Sequence, residues 1–304
     1  ERTGGGGAAL PAGEDSGFGG ILTGIALMRR YGAESSADAL RGRIMPLLEE
    51  VDIASCANAD RICGLAGLVS TLCRFEEYRG CTAVIRKAAD RILELKSLAY
   101  RDRVLWRTMA GIPRALSGAG HGMSGIAEAL FAAARVLGDE RYLPAAEEAL
   151  GYEIDAYRRY AEKFGTWADL REFPPQGYMH GYCAGAPGTG IMLSRIMREG
   201  DGGQAAEVLA GLARESVDRL PLNDCDHLCC GNAAIAEYYF STGRPADAGR
   251  VLGAMLERKR HEGGYRDMSS GVSGDASPTL FGGIAGIGYQ MLRYAFPQII
   301  LPLT

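Results

Sequence analysis

The chain has 304 residues with 43 glycines and only 12 prolines, so glycine stands near twice its usual ~7% without the Pro/Gly mixture of a disordered or collagen-like chain. Hydrophobic residues at 47% and charged residues at 23% are ordinary for a globular protein long enough to bury a large core. A net charge of −4 with no basic block argues against nucleic acid as the main partner, and no apolar run reaches the ~18 residues that span a bilayer.

The chain opens ERTGGGGAAL, without Met and without a signal-peptide layout, and residues 1–16 read as a linker or fragment boundary. A pattern then begins. GFGGILTGIALM starts at Gly17 and is followed by Leu40, Ile44, Leu47 and Leu48 on one helical face. GLAGLVSTLCRF starts at Gly64 and is followed by Ile85, Ala88, Ile92 and Leu95, again one face. GMSGIAEALFAA starts at Gly122 and GAPGTGIMLSRI at Gly185, the latter followed by segment 201–219 with Val208, Leu209, Leu212 and Ala213. GNAAIAEYYFST starts at Gly231, ahead of segment 244–259 with Val251, Leu252, Met255 and Leu256. GGIAGIGYQMLR closes the series around Gly283.

Successive repeats are 46 to 63 residues apart, which leaves room for one more helix in each interval. The Gly-led stretches are apolar nearly all round and are expected to be buried on more than one side; the intervening ones carry charge on one face. With almost no strand signal, this predicts an all-α, double-layered helical ring. Small residues at the inner helix starts permit close approach, and gathering those starts at one end collects orphan N–H groups and positive dipole ends there.

The residues just before each repeat glycine therefore point into a shared mouth. They are Asp60-Arg61-Ile62-Cys63, then His121, then His180-Gly181-Tyr182-Cys183-Ala184, then His227-Leu228-Cys229-Cys230. The first and last repeats offer Asp15, Ser16 and the stretch from Ser277 to Phe281. Asp224, Asp226 and His261 lack this alignment and read as solvated loop residues.

Eight cysteines occur, at 56, 63, 73, 81, 183, 225, 229 and 230. In a chain with this much core they read as free thiols of a reduced, cytoplasmic protein, with Cys63 and Cys73 inside apolar helical patterns. Cys183, Cys229 and Cys230 come from adjacent repeats and suit a soft tetrahedral ion, Zn²⁺ above all. Three ligands leave a fourth position open, as in catalytic zinc, unless His180, His227 or Cys225 closes it.

The motifs DRICGLAG (60–67), GHGMSG (120–125), YCAGAPG (182–188), LCCGNAA (228–234) and LFGGIAGIGYQMLR (280–293) resemble the lanthionine synthetase C-like cyclases. The C-terminal helix and Pro297 look most like the cyclase domain of class II, bifunctional lanthipeptide synthetases. The resemblance implies one cyclase domain over 17–304 and an α/α toroid with seven inner helices, of which six repeats are legible. It implies Cys183, Cys229 and Cys230 as zinc ligands, with Cys230 where His is usual, His121 as catalytic histidine and Asp60 as its acidic partner. The family often has Arg four residues before the first zinc Cys; this chain has Met179 there, with His180 beside it.

The implied activity is Michael addition of a peptide Cys to dehydroalanine or dehydrobutyrine, closing lanthionine or methyllanthionine rings in a dehydrated precursor peptide. Dehydration would then belong to an N-terminal domain outside this chain. The alternative from another class is a non-catalytic zinc-containing toroid that binds a peptide or a small thiol such as glutathione. A terpene-cyclase-like double barrel lacks support, because no Asp-rich diphosphate motif is present.

Overall fold

The computed structural model describes residues 12–15, 17–268 and 277–298; Ser16 and residues 1–11 of the N-terminal stretch lie outside them. Eleven α-helices occur among the described residues, and they alternate between two layers. The inner layer is α1 (Phe18–Arg30), α3 (Leu65–Arg74), α5 (Met123–Leu137), α7 (Ala186–Arg198), α9 (Asn232–Ser241) and α11 (Ile284–Ala295). The outer layer is α2 (Glu34–Glu49), α4 (Thr82–Glu94), α6 (Leu143–Phe164), α8 (Gly203–Arg219) and α10 (Pro245–Glu262). Each inner helix packs on the next inner helix and on the outer helix that follows it, which makes the α/α toroid expected from the repeats.

The repeat glycines have a steric cause. A Cβ on Gly67, Gly125, Gly188 or Gly286 would lie 1.9–2.1 Å from the carbonyl oxygen of the residue six positions earlier. The chain ahead of each inner helix thus folds back over the helix's own first turn. The first-turn N–H groups donate to carbonyls seven residues back, as in Met123 to Leu116 (3.1 Å) and Ile284 to Ser277 (2.8 Å). Those donors are therefore spent on the loops, not left gathered in the mouth as orphan groups.

The folded-back segments also hydrogen-bond to one another around the ring. Glu14 N donates to Arg61 O, Arg61 N to Gly120 O, Gly120 N to Cys183 O, Tyr182 N to Cys229 O, and Cys229 N to Phe281 O, all at 2.8–3.1 Å. This belt links all six repeats in order. Beneath it, fully buried Arg61 pairs with Glu14 (2.5 Å) and Glu128 (2.6 Å) and donates to Tyr182 Oη and Ser70 Oγ, both at 2.9 Å. A second buried pair, Arg293 with Glu237, ties α11 to α9.

Three expectations need correction. A short antiparallel hairpin, β1 (Lys96–Tyr100) and β2 (Arg103–Trp106), fills part of the interval before the third repeat, with Leu98 opposite Leu105 and Trp106 buried on α4. Leu40, Leu47, Val208 and Leu256 are exposed, because an outer helix buries only the strip facing the inner layer. Inner helices at the ends of the series are covered on one flank only: Ile21 on α1 and Ile284 and Leu292 on α11 are exposed. The extensive packing seen between the other inner neighbours is not matched between α1 and α11.

Candidate metal and proton-transfer site

The belt brings residues from separate repeats onto one rim. Cys183, Cys229 and Cys230 lie with their sulfurs within 4.8 Å of one another. The Cys229 and Cys230 sulfurs are 3.3 Å apart. Glycines make this approach possible: a Cβ on Gly181 would sit 2.4 Å from Cys230 Cα, and one on Gly120 would sit 2.8 Å from Cys183 Cα. Hydrogen bonds to Cys229 and Cys230, and then burial, push the Cys183 thiol up, whereas hydrogen bonds from Cys183 and Cys229 hold Cys230 below the ordinary thiol range.

The three sulfurs form a group that can hold a metal ion. A tetrahedral ion with Zn–S bonds of ~2.3 Å needs sulfurs roughly 3.8 Å apart, which the cluster meets with small adjustment. None of the three candidate fourth ligands joins it. Cys225 Sγ points to Cys230 O (3.6 Å), and His227 Nδ1 accepts from Cys230 N (3.3 Å). His180 is buried, and burial pushes its imidazole down to about 4, so it is neutral. It lines a separate cavity beside Asp218 and Tyr239 and is not among the residues around the thiol cleft.

Beside the thiols, His121 Nδ1 lies 2.6 Å from Asp60 Oδ2. Asp60 is buried, and its other oxygen accepts from Cys63 N (2.8 Å) and Gly64 N (2.9 Å), so the carboxylate is fixed by the start of α3. Thr108 Oγ1 donates to His121 O at 2.5 Å. On the outer side, fully buried Glu153 of α6 accepts from Gly118 N (3.0 Å) and Ser124 N (2.9 Å), gripping the loop that carries His121. Burial raises its carboxyl to about 7. Asp15 of the first repeat lies on the same rim, where partial desolvation and then Glu14 raise its carboxyl while His121 opposes the shift.

A cleft of about 680 Å³ opens over this rim, lined by His121, Cys183, Cys229 and Cys230 together with Arg171 and three methionines, Met109, Met179 and Met268. Arg171 and Glu153 escaped the sequence reading because neither precedes a repeat glycine; each arrives from a neighbouring segment. The only available signal for Glu153 was an acid at a position where α6 is otherwise apolar. Asp226 is not a solvated loop residue: it is fully buried, accepts from Asn232 Nδ2 (3.0 Å) and Arg266 N (3.2 Å), and pairs with Arg258. His261 is exposed but lies in the last turn of α10, and Cys63 is exposed ahead of α3 and not inside it. All eight cysteines are free thiols.

Fold and rim together define an α/α toroid with a three-thiol centre beside a His–Asp pair. The chain belongs to the lanthionine synthetase C-like protein family, whose sequence profile matches residues 14–301. Among solved structures it is similar in fold to nisin cyclase, with a TM-score of 0.63 and 16% sequence identity over 97% of this chain and 79% of that one. No curated protein sequence matches the chain. No helix among the described residues is long and apolar enough to cross a membrane.

Proposed function

We propose that the protein is a zinc-dependent cyclase that closes lanthionine and methyllanthionine rings by adding a cysteine thiol to dehydroalanine or dehydrobutyrine within a dehydrated ribosomal precursor peptide. The observation that carries this reading is the convergence of Cys183, Cys229, Cys230, His121 and Asp60 on one open cleft in a toroid of this family. The class II assignment rests on the C-terminal helix with Pro297, together with Cys230 where His is usual, and it assigns dehydration to a separate N-terminal domain in the same cytoplasmic compartment.

Cys183, Cys229 and Cys230 would hold the zinc, which when bound supplies the Lewis acidity that keeps an incoming thiol deprotonated near neutral pH. All three cysteines line the cleft, so a substrate sulfur entering it would come up beside them. Asp60 occupies His121 Nδ1, so Nε2 is the nitrogen left for proton transfer, and the carboxylate orients the ring. Sulfur attack on Cβ moves the alkene pair toward the neighbouring carbonyl, and His121 returns a proton to Cα. The thiol loses one proton and Cα gains one, so the ring closure balances.

The experiment uses a dehydrated peptide containing one cysteine, followed by thiol alkylation and mass spectrometry, with metal content measured in parallel. Cys229→Ala is expected to lose the metal and all ring closure. His121→Asn is expected to keep the metal while closure slows about 100-fold or more, the usual scale of a lost general acid. Ring closure by metal-free Cys229→Ala refutes the proposal. Full metal binding without closure in the wild type leaves the non-catalytic thiol-binding toroid instead.

A further inference from the structure

The cleft walls are mostly apolar, with Leu116, Leu170, Met109, Met179 and Met268 around the thiols. Arg171 is the one Lys or Arg among the described residues that line it. Its side chain is 45% exposed, at the edge of the cleft that Cys183, Cys229 and Cys230 also line. It comes from the segment between α6 and α7, outside every repeat motif.

That segment holds the guanidinium in place. Asp169 N donates to Gly177 O at 2.9 Å, and Arg171 N donates to Asp169 Oδ1 at 3.1 Å. The Asp169 carboxylate then takes Arg171 Nε (2.9 Å) and Nη2 (2.6 Å) side-on. Leu170 O between them accepts from Arg114 Nη1 at 3.2 Å. Of the five N–H donors of a guanidinium, this fork uses two and leaves the Nη1 edge to meet an acceptor.

The chemistry proposed above creates such an acceptor. As the sulfur bonds to Cβ, the π pair of the alkene moves through Cα to the carbonyl oxygen, which becomes an enolate until His121 protonates Cα. Among the cleft's other polar side chains the thiols face the nucleophile, His121 supplies the proton, Asp169 holds Arg171 and Ser117 is turned to Glu153. We propose that Arg171 is a catalytic residue whose guanidinium binds the carbonyl oxygen of the dehydro residue and carries the negative charge that develops there. This rests on the cyclase reading. The Asp169 fork fixes the guanidinium at the cleft before substrate arrives, so the charge on the oxygen would meet a donor that is already positioned.

The test separates oxyanion binding from ring closure. 3-Mercaptopropionate has the sulfur, two carbons and carbonyl carbon of the enolate, ending in an anionic oxygen; 1-propanethiol has the same sulfur and chain length without charge. Titrated into zinc-loaded wild type, 3-mercaptopropionate is expected to bind about tenfold more tightly than 1-propanethiol, the scale of one charge-assisted hydrogen bond. Arg171→Gln should bind 1-propanethiol unchanged, keep its zinc and lose the preference, with Arg171→Lys regaining part of it.

In ring closure, Arg171→Ala should lower kcat about 100-fold or more with little change in KM, and added guanidinium ion should restore part of the rate. A wild type with no preference, a preference kept in Arg171→Gln, or an unchanged kcat in Arg171→Ala overturns the proposal. So does a change in KM alone without guanidinium rescue, which would make Arg171 a peptide anchor. A wild type that shows the Arg171-dependent preference yet closes no ring refutes the cyclase reading while supporting oxyanion binding by Arg171.

Discussion

The middle repeats and the two end repeats share one sequence pattern and differ in what covers them. On α3, every residue from Leu65 to Cys73 is buried, and α7 is buried from Ala186 to Leu193. On α11, Ile284, Gly288 and Leu292 lie in one exposed stripe at i, i+4 and i+8, and on α1 Ile21 and Gly24 are exposed. A helix that is apolar all round is written for two neighbours, and only the middle helices have both among the described residues. The chemistry follows the same division: the thiols, His121 and Asp60 come from the second to the fifth repeats, where the belt is anchored on both sides.

Glycine substitutions give the largest expected contrast. In the middle, Gly188→Ala would put a Cβ 1.9 Å from Tyr182 O and force the Cys183 segment off its helix. It is expected to cost about 3 kcal/mol or more in denaturant unfolding and to weaken metal binding. At the end, a Cβ on Gly288 meets nothing within 4 Å, so Gly288→Ala is expected to be neutral or to stabilise by up to ~1 kcal/mol. Equal losses at the two sites would break the distinction.

Acid in the middle of the ring gives the next effect. Burial raises Glu153 from 4.5 to about 7, so the folded chain holds this proton more tightly than the unfolded one. Its contribution to stability is fully present below about 4.5 and is lost as pH rises through about 7. The shift corresponds to about 3 kcal/mol, and Glu153→Gln is expected to flatten that part of the stability–pH curve. The smallest effect belongs to the exposed stripe: Leu292→Ser is expected to change unfolding free energy by no more than ~0.5 kcal/mol. Thermal unfolding checks both.

Much of the ring could be read from sequence because its signals are local. Glycine three residues ahead of small glycine or alanine marks each inner helix, since the described repeat glycines crowd the backbone four to six residues back in the same chain. The residues just before each glycine could be placed on one rim for the same reason. The hairpin at 96–106 was hidden because its apolar alternation is short and sits inside an interval long enough for a helix. Asp226 was misjudged because burial comes from Arg258 and Asn232, and no repeat position announces it.

The sequence by itself determined the number of legible repeats, the two classes of helix and the identity of the rim residues, because each depends on contacts within about seven residues. Only the tertiary structure decided that the Cys183, Cys229 and Cys230 sulfurs meet, that Asp60 reaches His121 across 61 positions, and that His180 faces away. It alone brought Arg171 into the cleft and Glu153 under the His121 loop. Those meetings are set by the belt of hydrogen bonds between repeats, whose partners lie tens of residues apart, and a period in a sequence carries no information about which long-range partner a side chain will find.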